Sequence, residues 1–260
     1  MTDEHEVLDV PGFYDRLAGD YDAMTEFEKR YVREKPFFRL LVERYRIAAA
    51  LDAGSGTGFH SLMLARLGVS VTAVDASPVM LERLGAHARA MNLHVTCVET
   101  TFQKLSGAVA GPFDAVFCLG NSLPHLLTED DLRCTLENFR DVLRPGGLLY
   151  LQLLNYHRIL AERKRVQNVR QVGDVTFERS YEYDREDGLI TFSFRRSAGS
   201  GSDAAQETMA IPLRPLQHDY LETVLRDTGY EQVHPYGGIA LEAFNPSTST
   251  DLVIMALRRS

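Results

Sequence analysis

The run Leu51-Asp52-Ala53-Gly54-Ser55-Gly56-Thr57-Gly58, with Asp75 closing the next apolar stretch, constrains this chain more than any other feature. Residues 47–53 are apolar enough for a buried strand, and from Phe59 onward Leu62, Leu64, Ala65 and Leu67 recur at helical spacing. The glycines therefore join a strand to a helix. Glycine there admits positive φ and lets a ligand lie against the main chain, while the helix start offers unpaired N–H groups. Residues 70–75 read as a second strand, and Asp75 ends it 19 residues beyond Gly56, where a carboxylate can accept both hydroxyls of a ribose. A nucleoside is the expected ligand; the plainer alternative is a tight turn that binds nothing. Phe59 stands where a dinucleotide fingerprint needs Gly or Ala, and Gly58-Phe59-His60 supplies no Walker lysine, so neither NAD nor a nucleoside triphosphate is indicated.

Composition narrows the partners. With 260 residues, 45% hydrophobic and 25% charged, the chain has the size and make-up of one globular α/β domain carrying an insertion. The formal net charge of −8 disfavours broad contact with nucleic acid or anionic membranes, which points to a small-molecule partner. The start, Met1-Thr2-Asp3-Glu4-His5-Glu6, is acidic where a targeting peptide is basic, and no apolar run reaches the ~20 residues of a membrane span, so a cytoplasmic protein is expected. Cys97, Cys118 and Cys134 lack Cys-x-x-Cys spacing, so neither a disulfide framework nor a metal site is expected.

The pattern along the chain predicts a doubly wound, mostly parallel sheet. Strands are expected at 47–53, 70–75, 94–98, 113–119 and 147–154, and helices at 59–67, 78–91 and 129–143. Ser77-Pro78 supplies an N-cap and a first-turn proline, and Pro145-Gly146-Gly147 stops the third helix. Residues 13–41 have helical spacing, with Pro36 expected to open a helix running toward Arg46. From Arg158 the character changes. Residues 172–183 and 189–195 alternate about the polar turn 184–188, the loop 198–203 is rich in Gly and Ser, and 207–213 forms a third strand. A helix at 217–227 and strands at 230–236 and 251–257 close the sheet. The expected organisation is a core of 1–157 and 216–260, with 158–215 as an antiparallel β lid beyond the carboxyl end of a strand. The oligomeric state stays open, with a homodimer interface the other reading of that excursion.

Together these residues resemble the class I S-adenosylmethionine-dependent methyltransferases. The carrying motifs are the glycine run 51–58, Ala73-Val74-Asp75-Ala76-Ser77, the stretch from Phe113 to Leu126 and Leu143-Arg144-Pro145-Gly146-Gly147. Cys118-Leu119-Gly120-Asn121-Ser122 and Asn155-Tyr156 resemble the glycine and glycine/sarcosine N-methyltransferase branch, as do Tyr21-Asp22 and Phe27-Glu28-Lys29-Arg30. The resemblance implies a seven-stranded Rossmann-like methyltransferase fold and S-adenosyl-L-methionine as cofactor, with S-adenosyl-L-homocysteine as product. It implies Gly54 and Gly56 against the methionine part, Asp75 on the ribose, Thr101 and Phe102 at the adenine, Leu119 through its backbone, and Arg30 on the cofactor's carboxylate. Tyr14 and Tyr21 either cover the cofactor or pack the N-terminal segment.

Methyl transfer from a sulfonium is an in-line displacement, so alignment and exclusion of water matter more than a covalent nucleophile. Asn121, Asn155 and Tyr156 are expected beside the acceptor. His125 and His157 are the candidate general bases, each also readable as structural, and Arg214 is a candidate for binding a substrate acid or capping its own turn. One departure stands out. Glycine-type enzymes resemble Arg-Asn-Tyr-Asp where this chain has Leu154-Asn155-Tyr156-His157, so the cation that would hold a glycine carboxylate is missing. Glycine is then not the expected acceptor unless Arg158 or Arg214 substitutes. The expected activity is N-methylation of a small amine or amino-acid-like molecule. Small-molecule O-methylation is the alternative, and a non-catalytic S-adenosylmethionine-binding regulatory protein is the rival of another class. An RNA or protein methyltransferase fits poorly, because the charge is acidic and no Asn/Asp-Pro-Pro-Tyr/Phe motif is present.

Overall fold

The computed structural model describes residues 6–25, 27–183, 185–198 and 205–260. The acidic start 1–5, Asp184 and most of the Gly/Ser loop, 199–203, lie outside the described residues. Strand β1 (Glu6–Val7) leads into helices α1 (Val10–Thr25) and α2 (Phe27–Tyr45). Alternation follows through β2 (Ala49–Ala53), α3 (Phe59–Arg66), β3 (Ser70–Asp75), α4 (Pro78–Ala90) and β4 (Thr96–Glu99). It continues with α5 (Leu105–Ala108), β5 (Phe113–Cys118), α6 (Glu129–Val142), β6 (Leu143–Leu154) and α7 (Tyr156–Glu162). The excursion contains β7 (Val166–Val172), β8 (Val175–Glu182), β9 (Ile190–Ala198) and β10 (Ala205–Leu213), before α8 (His218–Asp227), β11 (Tyr230–Tyr236) and β12 (Asp251–Arg258).

Seven strands form one sheet in the order β11-β12-β6-β5-β2-β3-β4, parallel except for β12, which runs antiparallel to both neighbours. Period-2 burial explains the layers. In β6, Leu149, Leu151 and Leu153 join Leu132, Leu136 and Phe139 of α6 on one face, while Leu148 and Tyr150 join Phe38 of α2 and Met63 of α3 on the other. Strand order reverses at β2, between β3 and β5. That is where an open α/β sheet leaves a crevice beyond its carboxyl ends.

Two local readings differ from expectation. Pro36 does not open a helix but sits inside α2, which already begins at Phe27. Its missing N–H frees the carbonyl of Val32, and Val32 lies on an exposed helix face where water can satisfy that group. Residues 172–183 are not one strand, because the chain turns at Gly173-Asp174 and β7 precedes it. Strand β7 was hidden because Val166, Val169 and Val172 are spaced by three. A register shift between Val166 and Asn168 reconciles that spacing with the pleat.

The second sheet has the order β1-β10-β9-β8-β7, antiparallel apart from the short parallel pairing of β1 with β10. Its apolar face, with Phe177, Phe194, Met209 and Ile211, is covered by Phe13 and Leu17 of α1. The N-terminal helix thus packs on the excursion. No helix among the described residues is long and apolar enough to cross a membrane.

Candidate active site

At the carboxyl end of β2 the chain enters the glycine turn, and Gly54 has φ +74°. A Cβ there would stand 2.7 Å from Ser122 Oγ, so the close approach of the 119–122 turn requires glycine. Asp75 ends β3, accepting the Gly56 N–H at 2.8 Å on Oδ2 and the Ser77 N–H at 2.9 Å on Oδ1. Burial pushes its pKa up, and these backbone donors partly offset that. Ser77 also caps α4 by accepting from the Met80 N–H at 3.0 Å.

These groups border a cavity of about 350 Å³. Tyr14, Tyr21, Gly54, Gly56, Asp75, Thr101, Phe102, Leu119 and His125 all line it. So do Asp9, Val10 and Pro11 from the start of α1, and Ala76, Thr100, Gln103 and Ser122. The donor set suits a nucleoside with a polar tail: a carboxylate for diols, open main chain at Gly54 and Gly56, and apolar Phe102 and Leu126 for a ring. On the cavity wall, the buried His125 Nδ1 has no hydrogen-bond partner among the described residues, as expected where a polar ligand belongs.

A second cavity, of about 420 Å³, adjoins the first and shares Tyr14, Tyr21, Gly120 and His125 with it. One wall comes from the large sheet, through Asn121, Gln152 and Leu154, and the other from the second sheet, through Arg179, Tyr181, Phe192 and Phe194. Gly120 and Asn121 both take positive φ, 71° and 70°, forming a tight turn after β5. Gln152 pins that turn by accepting the Gly120 N–H at 2.7 Å, and Asn121 Oδ1 accepts the Leu154 N–H at 3.0 Å. Asn121 Nδ2 donates to the Tyr156 hydroxyl at 3.0 Å. Tyr156 is buried and lines neither cavity, so it positions Asn121. Burial raises its pKa well above the ordinary range, which keeps it a neutral phenol.

Tyr14 and His125 meet across the shared wall, with the hydroxyl 2.9 Å from Nε2. Burial drives the His125 pKa down to about 4 and raises that of Tyr14, so both are neutral near pH 7.

Four other sequence candidates stand away from both cavities. Asn155 caps α7 and donates to the carbonyls of Pro246 and Ser249, each at 2.9 Å. His157 lines neither cavity. Arg214 donates to the Tyr220 hydroxyl at 2.9 Å, with its guanidinium 4.9 Å from the Tyr220 ring centroid. Arg30 donates to Glu34 at 3.0 Å and lies 4.0 Å from the Phe59 ring centroid. Burial alone would raise the pKa of Glu34, but His60 and Arg30 hold it at about 2. Sequence reasoning passed over Gln152, although a lone amide inside the apolar run Leu148-Leu149-Tyr150-Leu151-Gln152-Leu153-Leu154 was a usable signal.

A Rossmann-like sheet with a carboxylate at the end of β3 and two adjoining cavities beyond its carboxyl ends is compatible with an S-adenosylmethionine-dependent methyltransferase. A family model described as a methyltransferase domain matches residues 50–147. The glycine/sarcosine N-methyltransferase of Parasynechococcus marenigrum is 30% identical over 248 residues, covering 94% of this chain and 83% of that protein. The glycine/sarcosine N-methyltransferase of Halorhodospira halochloris is 29% identical, covering 91% of this chain and 84% of its own. Among solved structures, an S-adenosylmethionine-dependent methyltransferase from Clostridium acetobutylicum shares the fold with a TM-score of 0.79 at 15% identity, covering 95% of this chain and 99% of that one. The chain belongs to the S-adenosylmethionine-dependent methyltransferases, in the family of the glycine/sarcosine N-methyltransferases.

Proposed function

We propose that this enzyme places a methyl group on the nitrogen of a small amine or amino-acid-like acceptor bound in the second cavity, with strands of 158–215 as its lid. In this reading Asp75 accepts the ribose hydroxyls, Thr101 and Phe102 meet the adenine, and Gly54, Gly56 and Leu119 present main chain to the rest of the cofactor. Tyr14 and Tyr21 close over it. When bound, S-adenosylmethionine supplies a methyl on a positively charged sulfur, open to in-line attack.

The residues of the chain have three tasks: to align the acceptor, to keep water out and to leave its lone pair free. Asn121, locked by Leu154 and Tyr156, offers an oriented amide at the acceptor wall. The aromatic lid exclusive of water is supplied by Tyr181, Phe192 and Phe194. A neutral amine needs no base at the moment of attack, and its proton can pass to water before closure. A hydroxyl acceptor does need one. His125 is the basic group on the shared wall, and with its pKa at about 4 it is too weak a base to ionise an alcohol or phenol. That favours nitrogen over oxygen, and the names of the relatives point the same way.

The observation that carries this reading is that the two cavities share Tyr14, Tyr21, Gly120 and His125, so that a donor in one and an acceptor in the other would lie side by side. Incubation with methyl-labelled S-adenosylmethionine and matched amines and phenols tests it by mass spectrometry. Label on nitrogen is the expected result. Label confined to oxygen, or tight cofactor binding with no transfer to any acceptor, contradicts it.

A further inference from the structure

Gln152 on β6 is a lone amide in an apolar run, and its partners reach from the edge of the large sheet to the boundary between the two cavities. In the antiparallel pairing of β6 with β12, Gln152 stands opposite Val253 and Leu154 opposite Asp251, so Gln152, Leu154 and Asp251 share one face. Gln152 Nε2 donates to Asp251 Oδ1 at 3.2 Å, and Oε1 of the same amide accepts the Gly120 N–H at 2.7 Å. The main-chain carbonyl of Gln152 accepts the Asn121 N–H at 3.2 Å. Gly120 lines both cavities, while Asn121 and Gln152 line the second. Asp251 lines neither.

Only one kind of side chain bridges these two partners. A backbone N–H can only donate and a carboxylate can only accept, so the group between them must accept at one end and donate at the other, as a primary amide does. A leucine there would leave both partners open, and a glutamate would set like charges side by side. The turn held in this way is a demanding one, since Gly120 and Asn121 take φ of 71° and 70° in succession, a region that few non-glycine residues adopt without supporting contacts. A small shift of such a turn changes the alignment of groups on either side of it. Resting on the methyl-transfer reading above, we infer that Asp251 is a positioning residue: through Gln152 it holds the Gly120-Asn121 turn at the boundary between cofactor and acceptor, and so sets the alignment of methyl transfer without touching either molecule.

Exchanging the two partners tests this. Gln152→Glu keeps an acceptor for Gly120 but sets a carboxylate against Asp251, and adding Asp251→Asn restores a donor and an acceptor with their roles reversed. Both substitutions are close to isosteric, and the double variant keeps the formal charge of the wild type. With methyl-labelled S-adenosylmethionine and the amine that takes label in the transfer assay, kcat should fall about tenfold or more in Gln152→Glu, the worth of a hydrogen bond to a charged group. It should return to within about threefold of wild type when Asp251→Asn is added, with the affinity for S-adenosylhomocysteine, read by calorimetry, little changed throughout. A second readout is independent of turnover: hydrogen exchange of the Gly120 amide, followed by NMR on protein saturated with S-adenosylhomocysteine. That exchange should quicken about tenfold or more in Asp251→Leu and stay near wild type in Asp251→Asn, whose side-chain carbonyl can still accept from Gln152. The inference is overturned if adding Asp251→Asn to Gln152→Glu recovers nothing, if Gly120 exchange is indifferent to Asp251→Leu, or if the affinity for S-adenosylhomocysteine falls as far as kcat. Exchange that follows these variants while no amine takes label would support the hold on the turn and contradict the methyl-transfer reading.

Discussion

Asp75 uses one carboxylate for two purposes: its oxygens fix the glycine turn through Gly56 and Ser77, and their remaining lone pairs face the cavity. Asp75→Ala should therefore weaken S-adenosylmethionine binding by about 1–3 kcal/mol, read by calorimetry, and unchanged affinity would remove Asp75 from the site. Gly58 carries a different constraint. It has φ +92° and an added methyl would overlap Leu84 Cγ, so Gly58→Ala should destabilise the fold by about 1–3 kcal/mol in chemical denaturation. His125 gives a pH signature. Burial lowers its pKa from the ordinary 6.5 to about 4, so between those values the unfolded chain binds the extra proton. Its contribution to stability is complete above about pH 6.5 and is lost as the pH falls toward about 4. The loss is of order 3 kcal/mol at most. The difference in stability between wild type and His125→Gln, measured from pH 7 down to 4, should narrow along that window; a constant difference would show that the imidazole is not held neutral.

Helix α1 links the two sheets, since Phe13 and Leu17 fill the apolar face of the second sheet while Tyr14 and Tyr21 reach both cavities. Phe13 is fully buried, with its ring 5.8 Å from that of Phe192. Phe13→Ala should cost about 3–5 kcal/mol and raise the KM for the acceptor more than that for the cofactor. A loss below about 1 kcal/mol would mean that the second sheet packs without the helix. The elements legible in the sequence were those whose signals are local. Ser77-Pro78 capped α4, and strict alternation gave β8 and β9 their faces. Strand β7 escaped because a bulge broke its period, and α2 ran through Pro36 because the carbonyl left unbonded faces water. Site residues divide in the same way. Gly54, Gly56 and Asn121 take positive φ, which glycine and asparagine announce locally, although Ser122, Asp75 and Leu154 hold them from far along the chain. Arg158 and Arg179 join the second cavity only through long-range packing, whereas the pairing of Arg30 with Glu34 is an i,i+4 contact that its spacing announces, and only its stacking on Phe59 is not.

The molecule as a whole brings distant stretches of chain to one place: the α1 segment, the turns after β2, β3, β4 and β5, the end of β6 with α7, and the strands β8 and β9 of the second sheet. The sheet's reversal at β2 opens the crevice, the carboxyl ends of its strands supply the polar groups, and the second sheet closes over them. This arrangement yields two chambers meeting at Tyr14, Tyr21, Gly120 and His125, and the account depends on their being donor and acceptor sides of a single reaction. A crystal structure with S-adenosylhomocysteine bound tests that most directly. The ribose hydroxyls should lie on Asp75 and the thioether sulfur should point at the shared wall, toward Asn121 and the lid. A nucleoside seated elsewhere, or a sulfur turned away from the second chamber, would contradict it.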